Sequence, residues 1–161
     1  MRKHILTASA ALAFLIAAAC GQASSVSPAA SGAAECVNPK AAHRAYVVVT
    51  HLDGRTVQKC VGFAGAQVGG DDLMKQSGVE MQTQQFSFGS AVCQLDSEPA
   101  QFSECLPKNG PYWALWVWSG SAWQPAQTGY TAISLGDGQA LGWRYTPATA
   151  SPAPQPPAPR K

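Results

Sequence analysis

AYVVVTHLDGRTVQKCVGF, residues 45–63, is the stretch whose reading decides the fold. Its first part is apolar and β-branched, the composition of a strand buried against a core. Its second part alternates: Val57, Lys59 and Val61 fall on one face, and Thr56, Gln58 and Cys60 on the other. Asp53-Gly54 lies between the two parts. Such a pair is a strong signal for a two-residue hairpin turn of type I′, whose central residues both need positive φ. A β-hairpin is therefore the first element expected.

Working outward, GAQVGGDDLMKQSGV (65–79) holds one short helix at about 71–77. Asp71 is the expected N-cap, Asp72 suits the positive end of the helix dipole, and Gly78 can close the helix in the left-handed conformation. Leu73 and Met74 are assigned to the core. Strand-like segments follow at 79–89 and 90–96, then a loop at 97–111. Further strands are expected in the aromatic stretch on either side of SGS (119–121), in TAISL (131–135), and in QALGWRY (139–145) after the tight turn GDG (136–138). This order predicts an α+β fold: a small, mostly antiparallel sheet with one short helix.

The aromatic stretch NGPYWALWVWSGSAWQ (109–124) carries four of the protein's five tryptophans. Strand alternation puts Trp113, Leu115 and Val117 on one face and Tyr112, Ala114, Trp116 and Trp118 on the other. A strand with one wet face should alternate with polar residues, and this one does not. Two readings stay open. In one, Trp113, Leu115, Val117 and Trp143 fill the core, and Trp116 and Trp118 cover the sheet edge. In the other, Tyr112, Trp113, Trp116, Trp118 and Trp123 form a platform for a flat or apolar ligand or for a protein partner.

The ends of the chain have a different character. Residues 1–19 begin with Arg2 and Lys3 and continue as an apolar run ending in small residues, the layout of an export signal. Ala17, Ala18 and Ala19 before Cys20 resemble a bacterial lipobox, which implies that Cys20 is lipidated and anchors the protein to a membrane. An ordinary secretory signal with a chance cysteine is the alternative. Residues 20–35 read as a flexible tether, 36–146 as the single domain, and the Pro/Ala-rich segment 147–161 as a disordered, solvated tail. The expected location is the cell envelope. In a Gram-negative host, Gly21 after the cysteine would suit the outer membrane, facing the periplasm. Without Arg2 and Lys3 the 11 basic residues fall to 9, matching the 9 acidic ones, so no nucleic-acid partner is expected.

Setting Cys20 aside leaves Cys36, Cys60, Cys93 and Cys105 in an exported domain. Two disulfides are expected, with three connectivities open; Cys36–Cys60 with Cys93–Cys105 is preferred because each closes a short local loop. Zinc is disfavoured, since no CxxC pair is present and His43 and His51 lack ligand spacing. No metal and no cofactor are expected.

The segments FGSAVCQLD (88–96), YWALW (112–116), QTGYTA (127–132) and GDGQALGWRY (136–145), preceded by the helix GDDLMKQSG (70–78), resemble the C-terminal domain of the transcobalamin and intrinsic-factor family. The matching positions are Tyr112, Trp113 and Leu115, then Gly129 and Tyr130, then Gly136, Asp137 and Gly138, within a span of about Tyr46 to Tyr145. The resemblance implies a β-rich, β-grasp-like lid of the kind that closes over a corrinoid held by a larger helical domain. Bacterial secreted proteins and lipoproteins also carry this small domain. Nothing before Tyr46 reads as such a helical domain, so high-affinity corrinoid binding by this sequence alone is not expected.

Catalysis is not expected. Ser103, His51 and Asp53 could be assembled into a triad on paper, but there is no nucleophile elbow, zinc helix motif or phosphate loop. Asp53 and Asp137 precede glycines in turns, where the backbone explains them. The sequence therefore predicts a non-catalytic envelope lipoprotein binding a small flat or apolar ligand, a corrinoid among them. The alternative is a structural or protein-interaction module of the envelope.

Overall fold

The computed structural model describes residues 35–161. The expected export signal, Cys20 and nearly all of the expected tether lie outside the described residues. In chain order the elements are β1 (Cys36–Val37), β2 (His43–Thr50), β3 (Thr56–Phe63), β4 (Val68–Gly69), α1 (Gly70–Ser77), β5 (Met81–Phe86), β6 (Gly89–Leu95), β7 (Tyr112–Trp118), β8 (Trp123–Pro125), a 3₁₀ turn (Tyr130–Ala132), β9 (Ser134–Leu135) and β10 (Ala140–Thr146). Six of the strands form one sheet in the order β1-β3-β2-β10-β7-β8, and β4–β9 and β5–β6 form two small antiparallel pairs. The described residues are mostly β with one short helix, an α+β arrangement.

The β2–β3 hairpin forms as expected, with Val47 opposite Lys59 and Val49 opposite Val57. Its turn is wider than the sequence suggested. The last strand rung is Thr50 with Thr56, beyond which the His51 N–H donates to the Arg55 carbonyl at 2.8 Å and the Gly54 N–H to the His51 carbonyl at 3.1 Å. Only Gly54 has positive φ, at 89°. The Asp53 carboxylate accepts the Arg55 N–H at 2.8 Å, which fixes a three-residue loop with glycine as its left-handed member.

The sheet is mixed. β10 lies between β2 and β7, parallel to the first and antiparallel to the second. Leu141 has Val47 on one side and Val117 on the other, and Trp143 has Val49 and Leu115. β1 is also parallel to β3. Hairpin-linked strands account for the antiparallel pairs that local sequence could suggest. The parallel pair joins segments about a hundred residues apart, which local pattern does not encode.

Two clusters of buried side chains flank the sheet. On the first face Val47, Val49, Val61, Leu141 and Trp143 pack with Leu73 and Met74 of α1 and with Val92, Leu95, Tyr130 and Leu135. The helix starts one residue earlier than predicted. Its N-cap is Gly69, which has no side chain to cap with, and Asp71 instead sits in the first turn, 2.6 Å from Lys75 Nζ. On the second face Tyr46, Val48, Cys60, Ala114, Trp116, Trp123 and Ala140 cluster together. Val47, Val48 and Val49 are all fully buried, so both faces of the sheet are covered.

The cover of the second face corrects the expected disordered tail. Residues 147–161 fold back over it: Ala153 packs on the cluster and Pro156 is buried. Trp123 Nε1 donates to the Pro157 carbonyl at 3.2 Å, and the Arg160 N–H donates to Gln58 Oε1 at 2.8 Å. The physical reason is that proline-rich chain is already extended and conformationally restricted, so docking it on apolar rings removes little entropy. The packed body therefore extends beyond residue 146.

Both preferred disulfides are formed. Cys36–Cys60 joins β1 to β3, and Cys93–Cys105 pins the long loop to β6. The second closes 12 residues, a constraint on the unfolded chain worth about 3 kcal/mol. Replacing Cys93 and Cys105 together with alanine should lower unfolding free energy by about 2–4 kcal/mol in a denaturant titration, with far-UV circular dichroism unchanged. Thiol counting on the unreduced protein should find none of these four cysteines reactive.

Candidate ligand-binding site

The structure splits the five aromatic residues singled out by sequence. Trp116 and Trp123 are buried, at 6% and 5% exposure, on the second face beneath the tail. Trp118 joins them there, its ring 5.3 Å from that of Trp123 in an edge-on contact. Trp113 points to the first face and packs on the opposite cluster. Tyr112 and Trp113 together line a small concavity of about 280 Å³ beside the Cys93–Cys105 loop. The five do not make one platform. Alternation along β7 separates them, and the chain supplies cover for three.

The larger concavity is on the first face. A cleft of about 530 Å³ opens between β6, β7, β10 and the segment around the 3₁₀ turn. Trp113, Leu115, Tyr130 and Trp143 are its main apolar wall, with Phe88 and Leu106 at its borders. Each wall residue is held by its own contacts. Trp113 Nε1 donates to the Glu98 carbonyl at 3.2 Å, and its ring stacks at a tilt on Tyr145, 4.8 Å away. Tyr130 meets Trp143 edge-on at 5.9 Å. Trp143 Nε1 is buried without a hydrogen-bond partner among the described residues. Phe88 stacks on Phe86 at 5.1 Å yet remains 73% exposed.

Of the expected platform, only Trp113 reaches this cleft. Tyr130 and Trp143 were legible as apolar residues but not as neighbours, since 3₁₀ turn and β10 meet only through the tertiary fold. The signal for Phe88 was available. FSFG places two aromatic residues at a hairpin tip, where polar residues are the norm.

A polar cluster lies beside the cleft wall. His51 is 2% exposed, with Nδ1 2.7 Å from Glu98 Oε2 and Nε2 3.0 Å from Asp96 Oδ2. Arg55 Nη1 donates to the same Asp96 oxygen at 2.8 Å. Positive φ at Asp96 and Ser97, 45° and 64°, turns the chain after β6 so that both carboxylates face His51. The partners of His51 are thus Asp96 and Glu98, with Arg55 Nη2 3.2 Å from Nδ1, not the Asp53 and Ser103 of the paper triad. Its ring also meets Trp113 edge-on at 6.1 Å, which ties this cluster to the cleft wall. Among the described residues, no group of three or more His, Cys, Asp or Glu is arranged to hold a metal ion, and no helix is long and apolar enough to cross a membrane.

No family model matches this sequence, and no curated protein matches it. Among solved structures the fold is similar to a protein of Ruminococcus gnavus ATCC 29149 described as a "putative metal binding protein", at 18% identity and a TM-score of 0.49, over 65% of this chain and 97% of that one.

The polar cluster makes the fold sensitive to acid. Burial acts to raise the pKa of Asp96, but hydrogen bonds from Arg55 and His51 and their charges outweigh it, leaving the carboxyl below its ordinary 3.8. A carboxyl whose folded pKa is depressed stabilises the fold above its unfolded pKa and loses that contribution as pH falls through the folded value. Asp96→Asn should lower Tm at neutral pH and flatten its decline below about pH 4. Thermal unfolding across a pH series measures both, and parallel acid declines in the two proteins would exclude Asp96 as a source.

Proposed function

We propose that this protein is a non-catalytic binding protein of the cell envelope that takes a flat or apolar small molecule in the cleft between β6, β7, β10 and the 3₁₀ turn. The observation that carries the reading is the cleft wall of Trp113, Leu115, Tyr130 and Trp143, with Phe88 exposed at its border. Its volume of about 530 Å³ is in the range of small-molecule sites, and a mainly apolar lining with few polar groups is their usual composition. Thr128, Thr131 and Ser90 supply hydroxyls along the same lining. The recognition mechanism is stacking and apolar burial, with no covalent step.

The resemblance to the transcobalamin C-terminal domain adds corrinoids to the candidate ligands. Trp113, Leu115, Gly129 and Tyr130, four of the matching positions, line this cleft. A first hairpin, a helix across one face and a last strand inserted parallel to the first support a β-grasp-like reading. The N-terminal signal and Cys20 support a lipid-anchored exported protein, and two disulfides fit an oxidising compartment. A structural or protein-interaction role is the second reading. It is favoured by one observation: Trp116 and Trp123, half of the aromatic stretch's tryptophans, are covered by the chain itself.

The test is tryptophan fluorescence of soluble protein beginning at Gly21, titrated with cobinamide, cobalamin and anilinonaphthalene sulfonate, with calorimetry to control for corrinoid absorbance. Saturable binding is expected. Phe88→Ala, on an exposed side chain, should weaken it about tenfold, since losing a stacked ring costs about 1.4 kcal/mol. Trp118→Phe, on the opposite face, should leave it unchanged. Absence of saturable binding across the set would sink the small-ligand reading and leave the structural one.

A further inference from the structure

We propose that the second face of the sheet is a binding site for polyproline-II peptide, and that its resident ligand is the chain's own segment 152–160, held in cis. The first argument is the seat. Gln58, Val48, Gly142 and Trp116 stand abreast across β3, β2, β10 and β7. Gly142 is an inner member of this row, in a strand where every other position carries a side chain. A Cβ there would lie 2.6 Å from the Trp123 ring and 2.9 Å from Pro156 Cγ. Glycine weakens a central strand and is kept where another group must come close. Here the groups are an indole and a proline ring, meeting on bare backbone.

The second argument is hydrogen bonding. Proline has no N–H, so a proline-rich peptide presents carbonyls and needs donors opposite them. Trp123 Nε1 donates to the Pro157 carbonyl at 3.2 Å. Arg160 follows the last proline and carries a backbone N–H, and Gln58 meets that residue with both ends of its amide: Oε1 accepts the Arg160 N–H at 2.8 Å and Nε2 donates to the Arg160 carbonyl. Trp116 Nε1 and Trp118 Nε1, on the same face, are buried with no hydrogen-bond partner among the described residues. The face thus holds more indole donors than the tail uses. Aromatic rings with indole donors set against an extended proline-rich chain are the recurring chemistry of polyproline recognition.

The third argument is length. From Gly142 on β10 to Gln58 on β3 is two strand spacings, about 10 Å. Pro156, seated at Gly142, and Arg160, paired with Gln58, are four residues apart, about 12 Å as polyproline II. A helix of the same residues would span about 6 Å and fall short. The segment's register on the row therefore requires an extended conformer. This site is on the opposite face from the cleft of the proposed function, so it stands or falls independently.

The experiment uses the full exported chain with a specific protease site in the exposed segment after Thr146, cut only after folding. Fluorescence anisotropy then follows a labelled peptide of residues 151–161. We expect no binding to uncut protein and saturable binding to cut protein after its segment is diluted away. Peptides carrying Pro156→Ala or a scrambled order of the same residues should bind at least fivefold more weakly. Failure of the native peptide to bind cut protein that retains its circular dichroism would overturn the proposal, as would equal binding of the scrambled peptide. A dimer that dissociates on cutting would place the segment in trans and overturn the cis assignment. Should cutting unfold the protein, Pro156→Ala in the intact chain decides: raised proteolysis of 147–161 and faster exchange of the Trp123 indole proton are expected, and unchanged values would reject the seat.

Discussion

The insertion of β10 between β2 and β7 is the constraint from which the other features follow. It makes the parallel ladder with β2 and the antiparallel one with β7, and so joins the first hairpin to the aromatic strand in one sheet. A strand in that position has neighbours on both edges and must have both faces covered, because lone strand faces of valine and tryptophan exposed to water are unfavourable. One face receives α1 with Leu73 and Met74. Among the described residues no second helix covers the other face, and the proline-rich segment does that work instead.

This constraint also assigns the aromatic residues. Alternation along β7 sends Trp113 to the helix side and Trp116 to the tail side. On the helix side β6 and the segment around the 3₁₀ turn leave a gap over Trp113, Leu115 and Trp143, which becomes the cleft. On the tail side Gly142 lowers the floor of the sheet so that Trp123 and Pro156 can occupy it. The same tryptophan-rich sequence thus yields an open concavity on one face and a filled groove on the other. His51 links the hairpin turn to the cleft wall through Trp113, so the polar cluster bears on how firmly that wall is held.

The hairpin at 45–63, the helix ended by Gly78 and the two-faced pattern of 112–118 were legible because sterics and alternation act over a few residues. The two disulfides were legible because each closes a short loop in a chain whose first residues read as an export signal. The turn type was missed at Asp53, where the side chain's bond to the Arg55 N–H selects a three-residue loop over a two-residue one. The tail was missed because its composition is also that of free chain. Only the presence of an uncovered aromatic face makes docking favourable.

By itself the sequence determined the first hairpin, the short helix, the strands around 81–95 and 112–118 and the last strand, favoured the local pairing of the cysteines, and fixed which β7 residues share a face. These depend on backbone preferences and side-chain period. The short strands β1 and β4 and the 3₁₀ turn at Tyr130–Ala132 were not legible in the sequence. The tertiary structure decided which strands became neighbours, that Trp143 and Tyr130 meet across the cleft, that Asp96 and Glu98 close on His51, and that Pro156 lands on Gly142. Those contacts join residues far apart in the chain. They are selected by competition among ways to bury apolar surface while satisfying buried polar groups, a choice no local stretch carries alone.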